Sequence, residues 1–379
     1  MWDKKTLKNI DYYLLVSVFL LVAIGLVMVY SATRNNYDLT GGDPLAMVKK
    51  QLVAVAIGVV GMVLLMFSDY RLPDLMYQIL YGVNLLLLVL VLSPLGLEVK
   101  GAKSWINLGG FSLQPSEFAK LLVILTLAKH LAEKEEIDSF WDLWSPFVHI
   151  ALPLLFILLQ PDLGTTLVFI FFFFVMLYVA GYNRRFLLLL ILAGVLSLAL
   201  LFASHYFFGT PLPFKEYQIK RMMIFLNPDA DPTGSGWNVR QAIIAVGSGR
   251  FFGKGLFQGT QGRLGYLPES HNDFIFAILC EELGFIGGFL TLVLFFILIW
   301  RCLVIIQQAK DKNGVLVAAG IMAMFLFHIL ENIGMNIGIM PITGIPLPFI
   351  SSGGSSMITN LFAIGFLENI WIRRQKLLF

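Results

Sequence analysis

The sequence has little charge and almost no cysteine. Lys, Arg, Asp and Glu make up 13% of the 379 residues, whereas 58% are hydrophobic and the mean hydropathy is +0.80. Soluble domains carry roughly twice that charged fraction, so a soluble globular protein is excluded. Cys280 and Cys302 fall 22 residues apart on one predicted helix, so we expect free thiols and neither a disulfide nor a metal site. The net charge of +3 is small, and we expect no nucleic-acid partner.

Ten apolar stretches are long enough, or nearly so, to cross about 30 Å of hydrocarbon as helices. The first lacks a small-residue cleavage pattern, so we expect a retained helix and not a signal peptide. The predicted fold is an all-α integral membrane protein, a single polytopic domain (1–379) with ten transmembrane helices around a polar cavity. The stretches cover residues 12–30, 52–67, 76–92, 117–128, 146–159, 163–182, 186–202, 274–300, 315–334 and 357–371.

The longest loop covers residues 206–272, between the seventh and eighth stretches. Lys and Arg are concentrated at both termini and in alternate short loops, which predicts cytoplasmic termini and places this loop outside. Residues 214–226 have the spacing of an amphipathic helix that lies in the membrane interface. Basic residues of the loop, Arg221, Arg240 and Lys254 among them, leave two interpretations open. The loop is attracted to anionic headgroups, or it binds an anionic substrate such as a lipid diphosphate.

Glu269, His271 and Asp273 stand at the mouth of the eighth apolar stretch. Ionisable groups at such a place in a membrane protein are costly unless they have a function. We therefore take this cluster, and Asp273 in particular, as the candidate active site.

Three further ionisable residues lie next to or within apolar stretches. Glu117 and Lys120 are three residues apart, which puts them on one face of the helix that Pro115 opens. They either neutralise each other as a structural pair or line a polar cavity and help to position the catalytic carboxylate. Asp162 joins two stretches at the outer face, where an N-cap for the following helix is the commoner role.

The segment 340–356 is rich in proline, glycine and serine. Irregular backbone of this kind cannot face lipid, so it must be buried in protein or line a wet cavity. We predict that it forms a substrate cavity loop with Pro346, Pro348, Ser351, Ser352 and Gly353.

Several motifs together resemble the SEDS family of bacterial cell-wall polymerases over essentially the whole chain. Within the family the sequence is similar to the elongation-type RodA branch. The motifs are Gln114-Pro-Ser-Glu117 with Lys120, Gln160-Pro-Asp162, Gly255 to Gly262, Leu267-Pro-Glu-Ser-His-Asn-Asp273, Glu281-Glu282-Leu-Gly284, Gly344-Ile-Pro-Leu-Pro348 and Ser351-Ser-Gly-Gly-Ser-Ser356.

The resemblance implies polymerisation of lipid II, an undecaprenyl-diphosphate disaccharide-peptide, into glycan strands outside the cytoplasmic membrane. Asp273 matches the family's essential acid, and a general base is the role that a carboxylate can fill there. The leaving diphosphate would be stabilised by Arg221, Arg240, Lys254 or a divalent cation, Mg²⁺ or Mn²⁺. The resemblance also implies a class B penicillin-binding protein, the transpeptidase of the elongation machinery, as partner.

Two other classes of function fit parts of the sequence. A lipid II flippase would also need ten spans and charges within the membrane, such as Glu117 and Lys120. The densest polar cluster, however, lies at the outer face, where chemistry on an exported substrate belongs. A non-catalytic scaffold for a cell-wall synthase would leave the carboxylate at the end of the outer loop unexplained.

Overall fold

The computed structural model describes residues 9–36, 40–69, 75–99, 102–107, 109, 112–134, 140–211, 216–226, 231 and 234–374. These residues form thirteen α-helices and three short strands. The helices are α1 (Tyr12–Thr33), α2 (Ala46–Phe67), α3 (Tyr77–Leu92), α4 (Pro115–Ala132), α5 (Trp144–Leu159), α6 (Leu163–Ala180), α7 (Arg184–Phe208), α8 (Glu216–Leu226), α9 (Ser235–Ser248), α10 (Thr260–Arg263), α11 (Ile275–Gln308), α12 (Lys312–Asn336) and α13 (Gly354–Ile372).

Each of the ten predicted apolar stretches coincides with a helix. Six helices are long and apolar enough to cross a membrane, namely α1, α2, α6, α7, α11 and α12, and two shorter helices, α3 and α5, are also apolar. The predicted amphipathic helix is confirmed as α8, and Cys280 and Cys302 are buried free thiols on α11. Residues 1–8 and 375–379, which contribute to the predicted orientation of the termini, lie outside the described residues.

A small antiparallel sheet joins α3 to α4, an addition to the predicted all-α fold. Its strands are β1 (Gly96–Val99), β2 (Ala102–Asn107) and β3 (Ser112–Leu113), in the order β1-β2-β3. The register pairs Gly96 with Ile106 and shifts after Leu97, where the sheet has an irregularity. The sequence between the third and fourth stretches has only short alternating runs, so the strands were not predicted.

The core lies around α12, which packs against α4, α6 and α11, while α13 runs along α2 and α11 packs on α1. The inner residues of α12 are fully enclosed, among them Ala318, Met324 and Phe325. In contrast, α7 touches the rest of the protein along little of its length, and most of its apolar side chains are exposed. Polar side chains of α12 are therefore held in a rigid, packed environment.

A sharp break interrupts α11 near its start. Gly284 has φ +67° and ψ −164°, so the carbonyls of Glu281 and Glu282 do not bond the N–H groups four residues later. The glycine-rich segment 247–265 supplies hydrogen-bond partners for these two carbonyls and for the two N–H groups that they would otherwise bond. Lys254 and Gly255 donate their N–H groups to these two carbonyls, each at 3.0 Å, and the carbonyls of Arg250 and Phe251 accept from Phe285 and Ile286.

We expect Gly284→Ala to destabilise the protein by at least about 1–3 kcal/mol, because that backbone conformation is nearly exclusive to glycine. A β-carbon there would also lie 2.2 Å from the backbone nitrogen of Gly253. Thermal unfolding in detergent measures the change. Gly194→Ala is the matched control, since Gly194 lies in α7 and a β-carbon added there would have no atom of another element within 4 Å. An unchanged melting temperature of Gly284→Ala would show that the break in α11 is not required.

Candidate active site

Asp273 lies in a turn directly before α11 begins at Ile275. Its backbone carbonyl accepts hydrogen bonds from the side-chain amides of Asn332 and Asn336 on α12, both at 2.9 Å. The amide oxygen of Asn336 accepts from the backbone N–H of Ala277, in the first turn of α11, at 3.0 Å. The two amide side chains of α12 thus hold Asp273 through its backbone carbonyl.

The predicted cavity loop, between α12 and α13, packs on the same turn. The Ser351 hydroxyl donates to the carbonyl of Asn272 at 2.6 Å and accepts from the N–H of Leu347 at 2.8 Å. The N–H of Ser352 donates to the carbonyl of His271 at 2.9 Å. These bonds place the loop directly beside Asp273.

Gln51 of α2 holds the far side of this loop. Its side-chain N–H donates to the carbonyl of Ser351 at 3.2 Å, and its side-chain oxygen accepts from the N–H of Gly353 at 3.1 Å. Pro348 is buried and Pro346 is partly buried. The loop is thus enclosed in part by protein, one of the two alternatives predicted for this irregular backbone, and its role in a substrate cavity stays a prediction.

Arg221, on α8, reaches the same place from the long loop between α7 and α11. Its Nη1 donates to the carbonyl of Thr343 at 3.5 Å. A β-carbon on Gly344 would lie 3.5 Å from Oδ2 of Asp273 and 3.8 Å from Nη1 of Arg221. A carboxylate and a guanidinium therefore converge on one side of Gly344, where glycine, here with φ +78°, has no β-carbon to contact them.

Glu269 shapes the turn that carries Asp273. It has φ +54°, and its carbonyl accepts from the N–H groups of Asn272 and Phe274 at 3.0 and 3.3 Å. Its carboxylate accepts from the side-chain amide of Asn272 at 2.9 Å. Glu269 and the buried His271 therefore lie next to Asp273, as the sequence indicated, and their supporting role stays a prediction.

The predicted pairing of Glu117 with Lys120 is confirmed, and both side chains are almost fully buried. The ammonium group of Lys120 lies 2.7 Å from the Glu117 carboxylate and 3.0 Å from Nε2 of His328 on α12. Because an ammonium group can only donate, Nε2 accepts and Nδ1 carries the proton. Nδ1 then donates to the carbonyl of Pro346 at 3.1 Å. The pair is therefore connected to the cavity loop.

Asp162 caps α6, as predicted. Its carboxylate accepts from the N–H of Thr165 at 2.9 Å and from the hydroxyl of Thr165 at 2.7 Å. It also interacts electrostatically with Lys120 and Glu117. Asp162 on α6 therefore influences, and is influenced by, the charges of Glu117 and Lys120 on α4. Its role in a substrate cavity stays a prediction.

The three predicted diphosphate ligands lie in different surroundings. Arg221 is at the site, whereas Arg240 is exposed on α9. Lys254 lies 2.6 Å from the carboxylate of Glu281, a fully buried residue that also accepts from the N–H and hydroxyl of Thr260. Lys254 therefore neutralises a buried acid and fastens the glycine-rich segment to α11. Arg221 is the basic residue whose position best suits a ligand beside Asp273.

The expected divalent cation has no obvious ligand set. Within the part of the chain that the structure describes, no group of three or more His, Cys, Asp or Glu side chains could hold a metal ion. A role of Mg²⁺ or Mn²⁺ stays a prediction.

Sequence reasoning missed the polar residues of α12. His328, Asn332 and Asn336 recur at every fourth position, which is one helical face, and all three are buried. Glu331 lies next to them in the same apolar helix. This periodicity of polar side chains in an apolar stretch was a usable signal that the helix faces the site.

Comparison with known proteins identifies the family. Residues 12–376 match the family model FTSW_RODA_SPOVE, described as cell cycle protein. The chain belongs to this family. It is 43% identical to stage V sporulation protein E of Bacillus subtilis (strain 168), over 98% of both chains. It is 34% identical to peptidoglycan glycosyltransferase RodA of Treponema pallidum (strain Nichols), over 97% of this chain and 98% of that protein.

A solved structure shares the fold. It comes from work on the structural coordination of polymerization and crosslinking by a peptidoglycan synthase complex. It matches with a TM-score of 0.79 and 32% identity, over 96% of this chain and 98% of that chain. The family predicted from the motifs is thereby confirmed. Identity to the sporulation protein exceeds identity to RodA, so the elongation role stays a prediction.

Proposed function

We propose that this chain is a peptidoglycan glycosyltransferase that polymerises lipid II into glycan strands during cell elongation. Its relative in Treponema pallidum is named a peptidoglycan glycosyltransferase. The observation that carries the proposal is the convergence of the Asp273 carboxylate and the Arg221 guanidinium on Gly344. Such a reaction removes a proton from one reactant and releases an anion from the other. A carboxylate can accept the proton, and a guanidinium can bind the anion.

Asp273 acts as the general base. The 4-hydroxyl of the acceptor sugar loses its proton to the carboxylate while its oxygen forms a bond to the anomeric carbon of the donor. The bond from that carbon to the lipid diphosphate breaks, and its electron pair leaves with the diphosphate. In-line attack from the opposite face converts an α-linked donor into a β-linked product, by analogy with inverting glycosidases.

Arg221 stabilises the leaving diphosphate. Its side chain comes from α8, whereas Asp273 is fixed by α11 and α12, so the two groups approach the reactants from different elements. A guanidinium group binds phosphate oxygens through two parallel N–H groups. Negative charge grows on the diphosphate in the transition state, where this interaction strengthens.

The supporting environment is a bacterial cytoplasmic membrane, with both termini inside and Asp273 outside. Six described helices are apolar enough to span it. The partner is a class B penicillin-binding protein that performs the cross-linking. The related structure, which concerns coordination of polymerization and crosslinking in a synthase complex, supports such a pairing.

The decisive experiment is polymerisation of labelled lipid II by the purified protein, with and without the partner, resolved on a gel. Glycan strands support the polymerase. Transfer of lipid II across vesicles without strands would support a flippase instead, and neither activity would support a scaffold. Repeating the reaction with a chelator, and then with Mg²⁺ or Mn²⁺ restored, tests the metal requirement.

We expect Arg221→Gln to lower single-turnover polymerisation about tenfold or more, with a smaller change in the apparent KM. The reason is that the guanidinium interacts most strongly with the diphosphate as its charge develops. Lys49→Gln is the control, because Lys49 forms an exposed ion pair with Asp43. The assay uses a neutral-lipid detergent mixture, where headgroup attraction is absent. A wild-type rate for Arg221→Gln would show that Arg221 does not stabilise the leaving diphosphate. Arg240, Lys254 or a metal ion would then be the candidates for that role.

A further inference from the structure

Glu331 on α12 is a buried carboxylate whose hydrogen bonds are incomplete. It is 3% exposed, and neither of its side-chain oxygens lies within hydrogen-bond geometry of a partner. The hydroxyl of Thr343 lies close enough to interact with the carboxylate, but without the geometry of a hydrogen bond. Burial of an unpaired carboxylate costs free energy, because the group loses its hydration without compensation. Such a group persists where a ligand completes its hydrogen bonds or where function requires it.

The other buried glutamates in the described part of the chain are different, because each of them has a partner. Glu117 pairs with Lys120 and Glu281 pairs with Lys254. Glu282 accepts from Ser31, and Glu368 accepts from the backbone N–H of Asp11. Oε2 of Glu117 and Oε1 of Glu368 also lack a partner, but the other oxygen of each is bonded. Among the buried glutamates that the structure describes, Glu331 is therefore the one with neither oxygen hydrogen-bonded.

Glu331 also lies at the site. It interacts electrostatically with Asp273 and Arg221. It is adjacent in sequence to Asn332, whose side-chain amide bonds the carbonyls of Asp273 and Ile345 at 2.9 and 2.8 Å. Thr343 directly precedes Gly344, on which the carboxylate and guanidinium converge. Two acceptor oxygens and one hydroxyl are thus gathered next to the proposed general base.

We propose that Glu331 binds the sugar of the lipid II molecule that acts as acceptor, accepting hydrogen bonds from a hydroxyl or acetamido N–H group beside the 4-hydroxyl that Asp273 deprotonates. This inference rests on the proposed function. A carboxylate with two acceptor oxygens matches a ligand that is rich in hydroxyl and amide donors. Glu331 holds the sugar in both the ground state and the transition state, while Asp273 takes the proton.

The test compares Glu331→Gln and Glu331→Met with the wild-type protein. We expect the apparent KM for lipid II to rise about tenfold in the Gln variant, because a charge-assisted hydrogen bond is lost, and further in the Met variant. We expect kcat to change less, since the general base is intact. Melting temperatures without substrate should equal or exceed that of the wild type, because a buried unpaired acid has been removed.

A substrate-binding readout accompanies the kinetics. Lipid II should raise the melting temperature of the wild-type protein and raise it less in both variants. Glu133→Gln is the control, because Glu133 forms an exposed ion pair with Lys129. A lower melting temperature with an unchanged KM would make Glu331 a structural residue and overturn the proposal. If the wild type makes no glycan, the polymerase proposal fails, and equal lipid II binding by all variants would reject the role of Glu331 separately.

Discussion

Asp273→Asn is expected to abolish glycan polymerisation, with a loss of about 10²- to 10⁴-fold or more in single-turnover rate. The amide keeps the size of the carboxylate but cannot accept the proton of the acceptor hydroxyl. Folding should be preserved, because the backbone carbonyl of Asp273, not its side chain, holds the bonds from Asn332 and Asn336. Labelled lipid II measures the rate, and thermal unfolding and partner pull-down measure the integrity of the protein.

Asp43→Asn is the matched control for this variant. Asp43 forms an exposed ion pair with Lys49 at 2.6 Å, so the same chemical change there should leave the rate near that of the wild type. A near-normal rate for Asp273→Asn would remove Asp273 from the role of general base. Loss of folding in that variant would instead show that the carboxylate is structural.

Much of the fold could be predicted because hydrophobic stretches and helix signals are local. The ten stretches lie in helices, Pro115 opens α4, and Asp162 caps α6. The Glu117–Lys120 pair follows from the spacing of three residues alone. These features depend on neighbours within one helical turn, which a sequence displays directly.

The rest depends on contacts between distant residues. Lys254 was predicted as a diphosphate ligand from its charge and its loop, but its partner, Glu281, lies 27 residues away. The break in α11 likewise depends on a segment that folds back and replaces helical hydrogen bonds. Neither pairing has a local signal, so the sequence could indicate a basic outer loop but not which basic residue reaches Asp273.

Helix α12 connects the two predicted groups of polar residues. Its His328 contacts Lys120 and the carbonyl of Pro346, and its Asn332 contacts the carbonyls of Ile345 and Asp273. Lys120 is therefore linked to Asp273, the proposed general base, through polar contacts that follow one helix face. This arrangement favours a positioning role for the Glu117–Lys120 pair over simple neutralisation of charge.

Removal of either member of this pair is expected to destabilise the protein by about 3–5 kcal/mol, because the remaining charge is buried and uncompensated. The single variants are Glu117→Gln and Lys120→Met. The double variant, Glu117→Gln with Lys120→Met, removes both charges and should recover most of that stability. Unfolding free energies in detergent give the stability values. At the C-terminal end of the same helix, Lys129 pairs with the exposed Glu133, and this pair serves as control: Glu133→Gln should change stability by about 0–1 kcal/mol.

Activity then separates the two roles of the pair. If the pair only balances charge, the double variant regains both stability and turnover. If the ammonium group of Lys120 positions His328 and the Pro346 carbonyl, the turnover of the double variant stays low although the variant is stable. We expect this second result. A charge-reversed variant, Glu117→Lys with Lys120→Glu, sharpens the test. A carboxylate at position 120 requires a proton on Nε2 of His328, so the neutral imidazole loses its bond from Nδ1 to Pro346. Full turnover in the charge-reversed variant would contradict the positioning role.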